Sequence, residues 1–328
     1  MSPATPADRP GFAVAQLLTE PEGRLAGLLW RWPTAALATG PHADAWQQLT
    51  VHAACFALRN ETPAEDVDTL ATAGCRLLDE ANVTLASSSP TEPGAWTAGP
   101  WYLNAPAAAV AGAQAASRQR ALQLLQLVSA DADTHDIEEV FRQDAQLSYQ
   151  LLRLVNSVAF GARREITSFR QAILLVGRQP LKRWLNLLLF TARDDDARGA
   201  LLMTHVSLRA RGMELLAQAV GHDKAEQDQA FIAGMFSLLG VLFGRPLAEV
   251  LRPLQLTETL RAAVLERHGP LGQILQAWEA LEAAAPQRIA SSWNCFPVSA
   301  STAQGVVIDA CAWAWQLTRN QTNHGTGH

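Results

Sequence analysis

The sequence predicts an α+β protein in which a small N-terminal α/β domain is followed by an all-helical domain. Three observations support this fold class. Strand and helix patterns alternate before about residue 106, and helical periodicity is almost continuous from about residue 114 to residue 316. The composition is 48% hydrophobic and 17% charged, which suits large buried helices. A length of 328 residues fits about two domains.

The N-terminal domain is expected at residues 12–106, after a disordered segment at residues 1–11. FAVAQLL and LAGLLWRW predict two short strands around the turn TEPEG. ADAWQQLTVHAACFAL and PAEDVDTLATAGCRLLDEA have helical spacing, and Pro and acids occupy the first turn of the second segment. NVTLAS predicts a further strand, and SSSPTEPGAWTAGP predicts a loop.

The helical domain is expected at residues 107–316, with a flexible tail at residues 317–328. Its first long helix opens with Asp136 and Glu139, which have the spacing of a capping box. Later helices are predicted where apolar residues recur at i, i+3 and i+4. These segments begin with ALLMTH, DQAFIA, PLAEVL, TETLRA, LGQILQ and TAQGVV.

Charge and cysteine usage limit the classes of function. A net charge of −5 argues against general binding of nucleic acid. No signal-peptide pattern and no long apolar run is present, so we expect a cytoplasmic protein without a membrane partner. The cysteines form no CxxC pair, and we expect reduced core thiols. They are Cys55, Cys75, Cys295 and Cys311.

A basic segment interrupts the most apolar part of the chain. Seven basic residues and a single acid, Glu165, lie between residues 153 and 183, just after an acidic stretch at residues 131–144. The two stretches could neutralise each other on neighbouring helices, or the basic segment could bind an acidic protein, a nucleotide or nucleic acid. We take eight residues as a candidate ligand or partner surface. They are Arg153, Asn156, Ser157, Arg163, Arg164, Arg170, Lys182 and Arg183.

Two further groups leave alternatives open. Asn156 and Ser157 either bond the backbone at a helix end or form part of the candidate surface. Five aromatic residues near the two ends of the N-terminal domain form either its core or a partner-binding surface. They are Trp30, Trp32, Trp96, Trp101 and Tyr102.

The stretch LLRLVNSVAFGARREITSFRQAILLVGRQPLKRW resembles the core of the HDOD domain, an all-helical module related to HD phosphohydrolases. The family pattern is L-x-L-x-N-S, a turn, I-x-S and a helix ending in L-G. It falls on Leu152, Leu154, Asn156, Ser157, Ile166, Ser168, Leu175 and Gly177. RARGMELLAQAV, FIAGMFSLLGVLFGRPLAEVL and AAVLERHGPLGQIL extend the resemblance over about residues 115–285. These three downstream segments are similar to those of a subgroup in which an EAL domain precedes the HDOD domain.

The N-terminal domain resembles the two ends of an EAL domain. AQLLTEPEGRLAGLLWR is similar to the opening strand–turn–strand, and WTAGPWYLNAP is similar to the closing segment. A complete barrel needs roughly 240 residues, so the resemblance implies a truncated, degenerate domain. In its E-x-L-x-R motif, Arg31 keeps the phosphate-binding position and Gly27 replaces the metal-binding Glu.

The resemblance also implies that no catalytic or metal site is complete. The His-Asp dyad of HD hydrolases would fall at Ser237 and Leu238, while the literal pair His222-Asp223 lies in a predicted polar loop. His205 is expected to be a helical histidine whose hydrogen bonds are satisfied. We therefore expect no catalytic residues, no metal, no cofactor and no enzymatic activity.

The function implied by the resemblance is that of a bacterial signalling protein. It would act as a protein–protein interaction adaptor in cyclic-di-GMP-linked or stress-linked control of motility, biofilm or virulence. Its expected partners are other signalling proteins, with cyclic di-GMP and a second copy of the chain as lesser candidates. A nucleotide or small-anion sensor and a divergent metal-dependent phosphohydrolase are the alternatives.

Overall fold

The computed structural model describes residues 13–31, 43–62, 67–86, 95–104, 197–254 and 256–322, together with 120, 122–124, 126–127, 130, 132–142, 171, 183 and 187. The segment at residues 1–11 lies outside the described residues, as do Trp32 and the expected domain boundary at residues 106 and 107.

Six strands form one mixed sheet in the order β4-β3-β2-β1-β6-β5. β1 and β2 are antiparallel, with Val14 opposite Arg31. β2, β3 and β4 are parallel to one another, and β6 is antiparallel to β1 and parallel to β5. The strands are β1 Val14–Thr19, β2 Leu25–Arg31, β3 Cys55–Leu58, β4 Arg76–Leu78, β5 Val83–Leu85 and β6 Trp96–Ala98.

The predicted strands β1, β2 and β5 are confirmed, but three other predictions in this region are wrong. Helix α1 (Ala43–His52) ends early, and the fully buried run Cys55–Leu58 forms β3. Helix α2 (Val67–Thr72) ends before Gly74, which has φ 88°, and β4 follows. β6 lies in the segment predicted as a loop. Such short strands are stabilised by their neighbours in the sheet, and their sequences carry no periodicity of their own.

We call the described residues from 120 onward the second region. Its regular secondary structure is helical. α4 packs against α5 and α11, and α9 packs against α4, α5, α8 and α10. Gly212 on α4 allows this packing, because a Cβ there would lie 2.0 Å from the Trp278 ring. The helices are α3 Thr134–Arg142, α4 Ala197–Ala219, α5 Lys224–Phe236, α6 Leu239–Phe243, α7 Leu247–Leu251, α8 Glu258–Glu266, α9 Gly269–Glu282, α10 Pro286–Trp293 and α11 Ala300–Thr322.

The six predicted segments from ALLMTH onward are helical, but DQAFIAGMFSLLGVLF, predicted as one helix, is divided at Ser237 and Leu238 into α5 and α6. Three further predictions for the helices differ from the structure. α3 begins at Thr134, so Asp136 lies in its first turn and is not the cap; Asp133 Oδ1 accepts from the His135 N–H at 2.9 Å. α10 was not predicted. α11 continues to Thr322, into the segment that was expected to be flexible.

One hydrophobic core joins the sheet to the helices. It includes Val14 and Trp30 of the sheet together with Trp278 and Leu317 of the helices. α9 and α11 contact β1, and α11 also contacts α1. The buried thiols Cys55, Cys75 and Cys311 lie in this core, but Cys295 is exposed, which corrects its expected place in the core. Across the described helices, none has the length and apolarity needed to cross a membrane.

Candidate functional site

Arg183 is the member of the candidate surface that the structure describes. Its Nη2 lies 2.5 Å from Glu214 Oε2 and its Nη1 lies 3.6 Å from Asp228 Oδ1. Its guanidinium carbon lies 4.0 Å from the centre of the Phe231 ring. Arg183 is therefore held in an ion cluster. The other predicted residues lie outside the described part of the chain: Arg153, Asn156, Ser157, Arg163, Arg164, Arg170 and Lys182.

Arg31 ends β2 and is engaged by a carboxylate of its own chain. Its Nε donates to Glu61 Oε2 at 2.9 Å, and its Nη2 donates to Glu61 Oε1 at 2.5 Å. Both side chains are about three-quarters buried. A ligand phosphate that used Arg31 would have to displace this two-pronged ion pair.

Six polar side chains form a buried network where the sheet meets the helices. α4 supplies two of them one turn apart, α9 supplies two at i, i+3, the end of α5 supplies one, and the 3-10 turn Trp101–Leu103 supplies one. The buried network consists of Tyr102, His205, Arg209, Ser237, Glu279 and Glu282.

Arg209 is the centre of the buried network. Its Nε donates to Glu282 Oε1 at 2.8 Å, its Nη2 donates to Glu282 Oε2, and its Nη1 donates to Ser237 Oγ at 2.8 Å. The nearer oxygen of Glu279 lies 3.9 Å from Nη1, and Glu279 is paired with Arg267 at 2.7 Å. Arg209 is only 4% exposed, and these pairings compensate for the loss of hydration when its charge is buried.

His205 connects the charged pair to the sheet region. Its Nδ1 lies 3.0 Å from the Tyr102 hydroxyl, and its Nε2 lies 3.2 Å from Glu282 Oε1. A ring with its proton on Nε2 donates to Glu282 and accepts from Tyr102, so both nitrogens are used. The prediction of a satisfied helical histidine is confirmed, although its partners are polar.

Burial and charge shift the proton affinities in the network. Burial alone raises the pKa of the Glu282 carboxyl, but Arg209 and His205 outweigh it and lower that pKa from 4.5 to about 2. Burial raises the pKa of Tyr102 well above its usual value, and the charge of Glu282 adds to this. Glu282 is therefore a stable anion, and Tyr102 acts as a neutral hydrogen-bond donor.

The network holds the sheet and the helices together. Gln16 of β1 donates from Nε2 to the backbone oxygen of Glu282 at 3.1 Å, in addition to the bond from Tyr102 to His205. Nearby, Gln304 Oε1 accepts from the Ala13 N–H at 2.7 Å. All three bonds cross between the two regions.

Ser237 and Leu238, which stand at the predicted positions of the His-Asp dyad, lie where α5 ends and α6 begins. Ser237 Oγ donates to the Gly234 carbonyl at 2.6 Å and accepts from Arg209, while Leu238 is buried in the apolar core. Among the residues that the structure describes, no group of three His, Cys, Asp or Glu is placed to hold a metal ion.

The literal pair His222-Asp223 forms a helix cap. Asp223 accepts from the Glu226 N–H at 2.9 Å, and Glu226 accepts from the Asp223 N–H at 3.0 Å. Glu226 also lies 2.8 Å from His222 Nδ1. These side chains thus open α5 at the protein surface.

Sequence reasoning missed Arg209 and Glu282. The one available signal was a basic residue at i+4 from His205, one helical turn away on the same face of α4. No signal indicated its partner Glu282, which is 73 residues away. For the aromatic group the structure favours the core: Trp30, Trp101 and Tyr102 are buried, and Trp96 is half-buried.

Comparisons with known proteins identify a family and two relatives for this chain. The sequence model of the HDOD domain family matches residues 116–303 of this chain. The chain is 31% identical over 201 residues, 61% of its length and 46% of the relative's, to the cyclic di-GMP phosphodiesterase CdgJ of Vibrio cholerae. It is 29% identical over 148 residues to the Bacillus subtilis protein YuxH, covering 44% of this chain and 36% of that one. The matched segments thus span less than half of either relative.

A solved structure also matches, that of a putative phosphohydrolase from Shewanella amazonensis. The match covers 62% of this chain and 93% of that one, at 15% identity and a TM-score of 0.41, which is too low to support an argument. The expectation that this chain is not an enzyme is contradicted by its similarity to CdgJ, which is named a cyclic di-GMP phosphodiesterase. The EAL resemblance of the N-terminal region has no counterpart in the family match, which begins at residue 116.

Proposed function

Because this chain belongs to the HDOD domain family, we propose that it acts in cyclic di-GMP-linked signalling as a regulatory protein whose helical region binds other signalling proteins. The observation that carries the proposal is the 31% identity to CdgJ, whose name assigns it to cyclic di-GMP metabolism. The processes proposed for this chain are motility, biofilm formation and virulence.

The packing of the helical region supports a role in binding. The buried network pairs its interior charges within the chain, and the apolar core continues from the sheet into the helices. Helices with such a fixed interior present a rigid surface. A rigid surface loses little conformational entropy when a partner binds, which favours recognition.

The test is expression of the full chain in a motile bacterium that uses cyclic di-GMP. We expect a changed swimming radius and a changed cellular concentration of cyclic di-GMP, measured by mass spectrometry. Gly212→Leu is the control, because its side chain would clash with Trp278 and disrupt the packing of α4 on α9. Wild-type protein that alters neither quantity, at expression verified by immunoblot, would overturn the proposal.

Hydrolysis of cyclic di-GMP by the chain itself is a second candidate, favoured by the activity in the name of CdgJ. Such a reaction adds water across one phosphodiester bond and gives a linear dinucleotide. The purified full chain should then release this product in the presence of Mg²⁺ or Mn²⁺ and stop when a chelator is added. No product at high enzyme concentration would remove this candidate and leave the binding role to be tested.

We also infer that the sheet region is a reduced EAL-like unit. The β1–β2 hairpin and the position of β6 beside β1 support this inference, since they agree with a resemblance to the opening and closing segments of that domain. Arg31 then corresponds to its phosphate-binding position. Because the Arg31 guanidinium is already bonded to Glu61, binding of cyclic di-GMP through Arg31 requires this ion pair to open.

A further inference from the structure

A second ion cluster, apart from the buried network, surrounds the carboxylate of Glu214. Glu214 is 2% exposed and accepts from three cations: Arg183 Nη2 at 2.5 Å, Arg211 Nη1 at 2.7 Å and Lys224 Nζ at 3.0 Å. Lys224 Nζ also lies 3.2 Å from Asp228 Oδ1. We call these five residues the Glu214 cluster: Arg183, Arg211, Glu214, Lys224 and Asp228.

The Glu214 cluster carries more positive than negative charge. Three cations face two carboxylates, and all three converge on one carboxyl group. Burial raises the pKa of Glu214, but its cationic partners outweigh burial and lower the pKa to about 2, so the carboxylate is fully charged near neutral pH. Counted over the described residues, three cations and two carboxylates leave one unit of positive charge, and the cations lie within a few ångströms of one carboxyl group, where like charges repel.

The cluster also contains a hydrogen-bond donor without an acceptor among the described residues. Arg211 Nε is buried and makes no hydrogen bond to the described part of the chain, although Nη1 of the same guanidinium is bonded to Glu214. A buried donor without a partner is costly. The side chains of Lys224 and Arg211 are 66% and 31% exposed, so the outer edge of the cluster is open to solvent.

Glu214 holds these cations in fixed positions. Arg183 is further constrained by Phe231, and Lys224 is the first residue of α5, where the helix dipole is positive. Cationic side chains that are already ordered lose little conformational entropy when they bind an anion. A guanidinium beside an ammonium suits the several oxygens of a phosphate group.

We propose that the Glu214 cluster is a binding site for a phosphate group, with Arg211 and Lys224 as its direct contacts and Glu214 as the group that positions them. The ligand is a phosphate-bearing small molecule, such as a nucleoside di- or triphosphate. The site lies on α4 and α5 and does not depend on the proposed role in cyclic di-GMP signalling.

The experiment is isothermal titration of the full chain with pyrophosphate at low and high salt. We expect saturable binding that weakens with salt and falls roughly tenfold in Arg211→Gln and in Lys224→Gln, because each variant removes a charge-assisted hydrogen bond. Arg245→Gln is the matched control. Arg245 is 61% exposed and pairs at 3.0 Å with Glu249, which is not a member of the cluster, so its loss should change affinity less than twofold.

Equal affinity in all four proteins, or no binding by folded wild-type protein, would overturn the site and show that the cluster serves only to hold α4 and α5 together. Circular dichroism melting verifies that each variant is folded. Titration with cyclic di-GMP separates the two proposals. Pyrophosphate binding without cyclic di-GMP binding supports the site, while the swimming assay judges the signalling role separately.

Discussion

The Tyr102 hydroxyl lies 3.0 Å from Nδ1 of His205, and this one bond joins the 3-10 turn that follows β6 to the middle of α4. Both residues are buried, and His205 passes the connection on to Glu282, which is paired with Arg209. The sheet and the helices are therefore coupled by polar bonds as well as by a shared core.

Replacing Tyr102 by Phe should destabilise the whole chain by about 1–3 kcal/mol, because Nδ1 of His205 loses its partner inside the core. The measurement is urea unfolding followed by circular dichroism and by tryptophan fluorescence. Ser291→Ala, which removes an exposed hydroxyl, should change the free energy of unfolding by less than about 0.5 kcal/mol. Two separate transitions in the wild type would contradict the coupling of sheet and helices.

Replacing Arg209 by Met should cost about 3–5 kcal/mol, since Glu282 is then a buried anion without its main partner. Adding Glu282→Met should recover part of this loss, because both buried charges are then absent. The double-mutant cycle gives the coupling energy from the same unfolding curves. Arg245→Met, at an exposed ion pair, serves as the control. Additive losses from the two core substitutions would show that Arg209 and Glu282 do not interact.

Acid should unfold the protein through its paired carboxylates. The folded pKa values of Glu282 and Glu214 are about 2, below the value of 4.5 for a free carboxyl. Each group therefore contributes stability that is complete above about pH 4.5 and is lost as the pH falls toward 2. Melting temperatures measured from pH 7 to pH 2 should drop over this window. Glu282→Gln should start lower and fall less steeply, and an unchanged slope would contradict the assignment.

Replacing Glu61 by Gln should free Arg31 from its ion pair. If the sheet keeps an EAL-type phosphate position, affinity for cyclic di-GMP should rise several-fold, as measured by isothermal titration. Asp79→Asn, which releases the exposed Arg59 from a pair at 3.2 Å, is the matched control and should leave affinity unchanged. Equal affinity of Glu61→Gln and wild type would argue against Arg31 as a phosphate ligand.

Local sequence pattern predicted the elements that are long and periodic. α4 and α11 each have 23 residues, and a long run of apolar, helix-forming residues marks such helices without reference to the rest of the chain. β3 and β4 continue segments with helical spacing, and β6 lies in a stretch rich in Pro and Gly, so the sequences around these short strands did not mark them as strands. Their conformation depends on hydrogen bonds to neighbouring strands.

Motifs and periodicity along the chain are sufficient to predict the family, the helices of the second region and the opening strands of the sheet. Which charges meet depends on the tertiary structure. Tyr102 and His205 are 103 residues apart, and Arg209 and Glu282 are 73 apart. No local pattern relates such residues. They pair because the packing of α4, α9 and the sheet buries them together, and a buried charge needs an opposite charge within hydrogen-bonding distance.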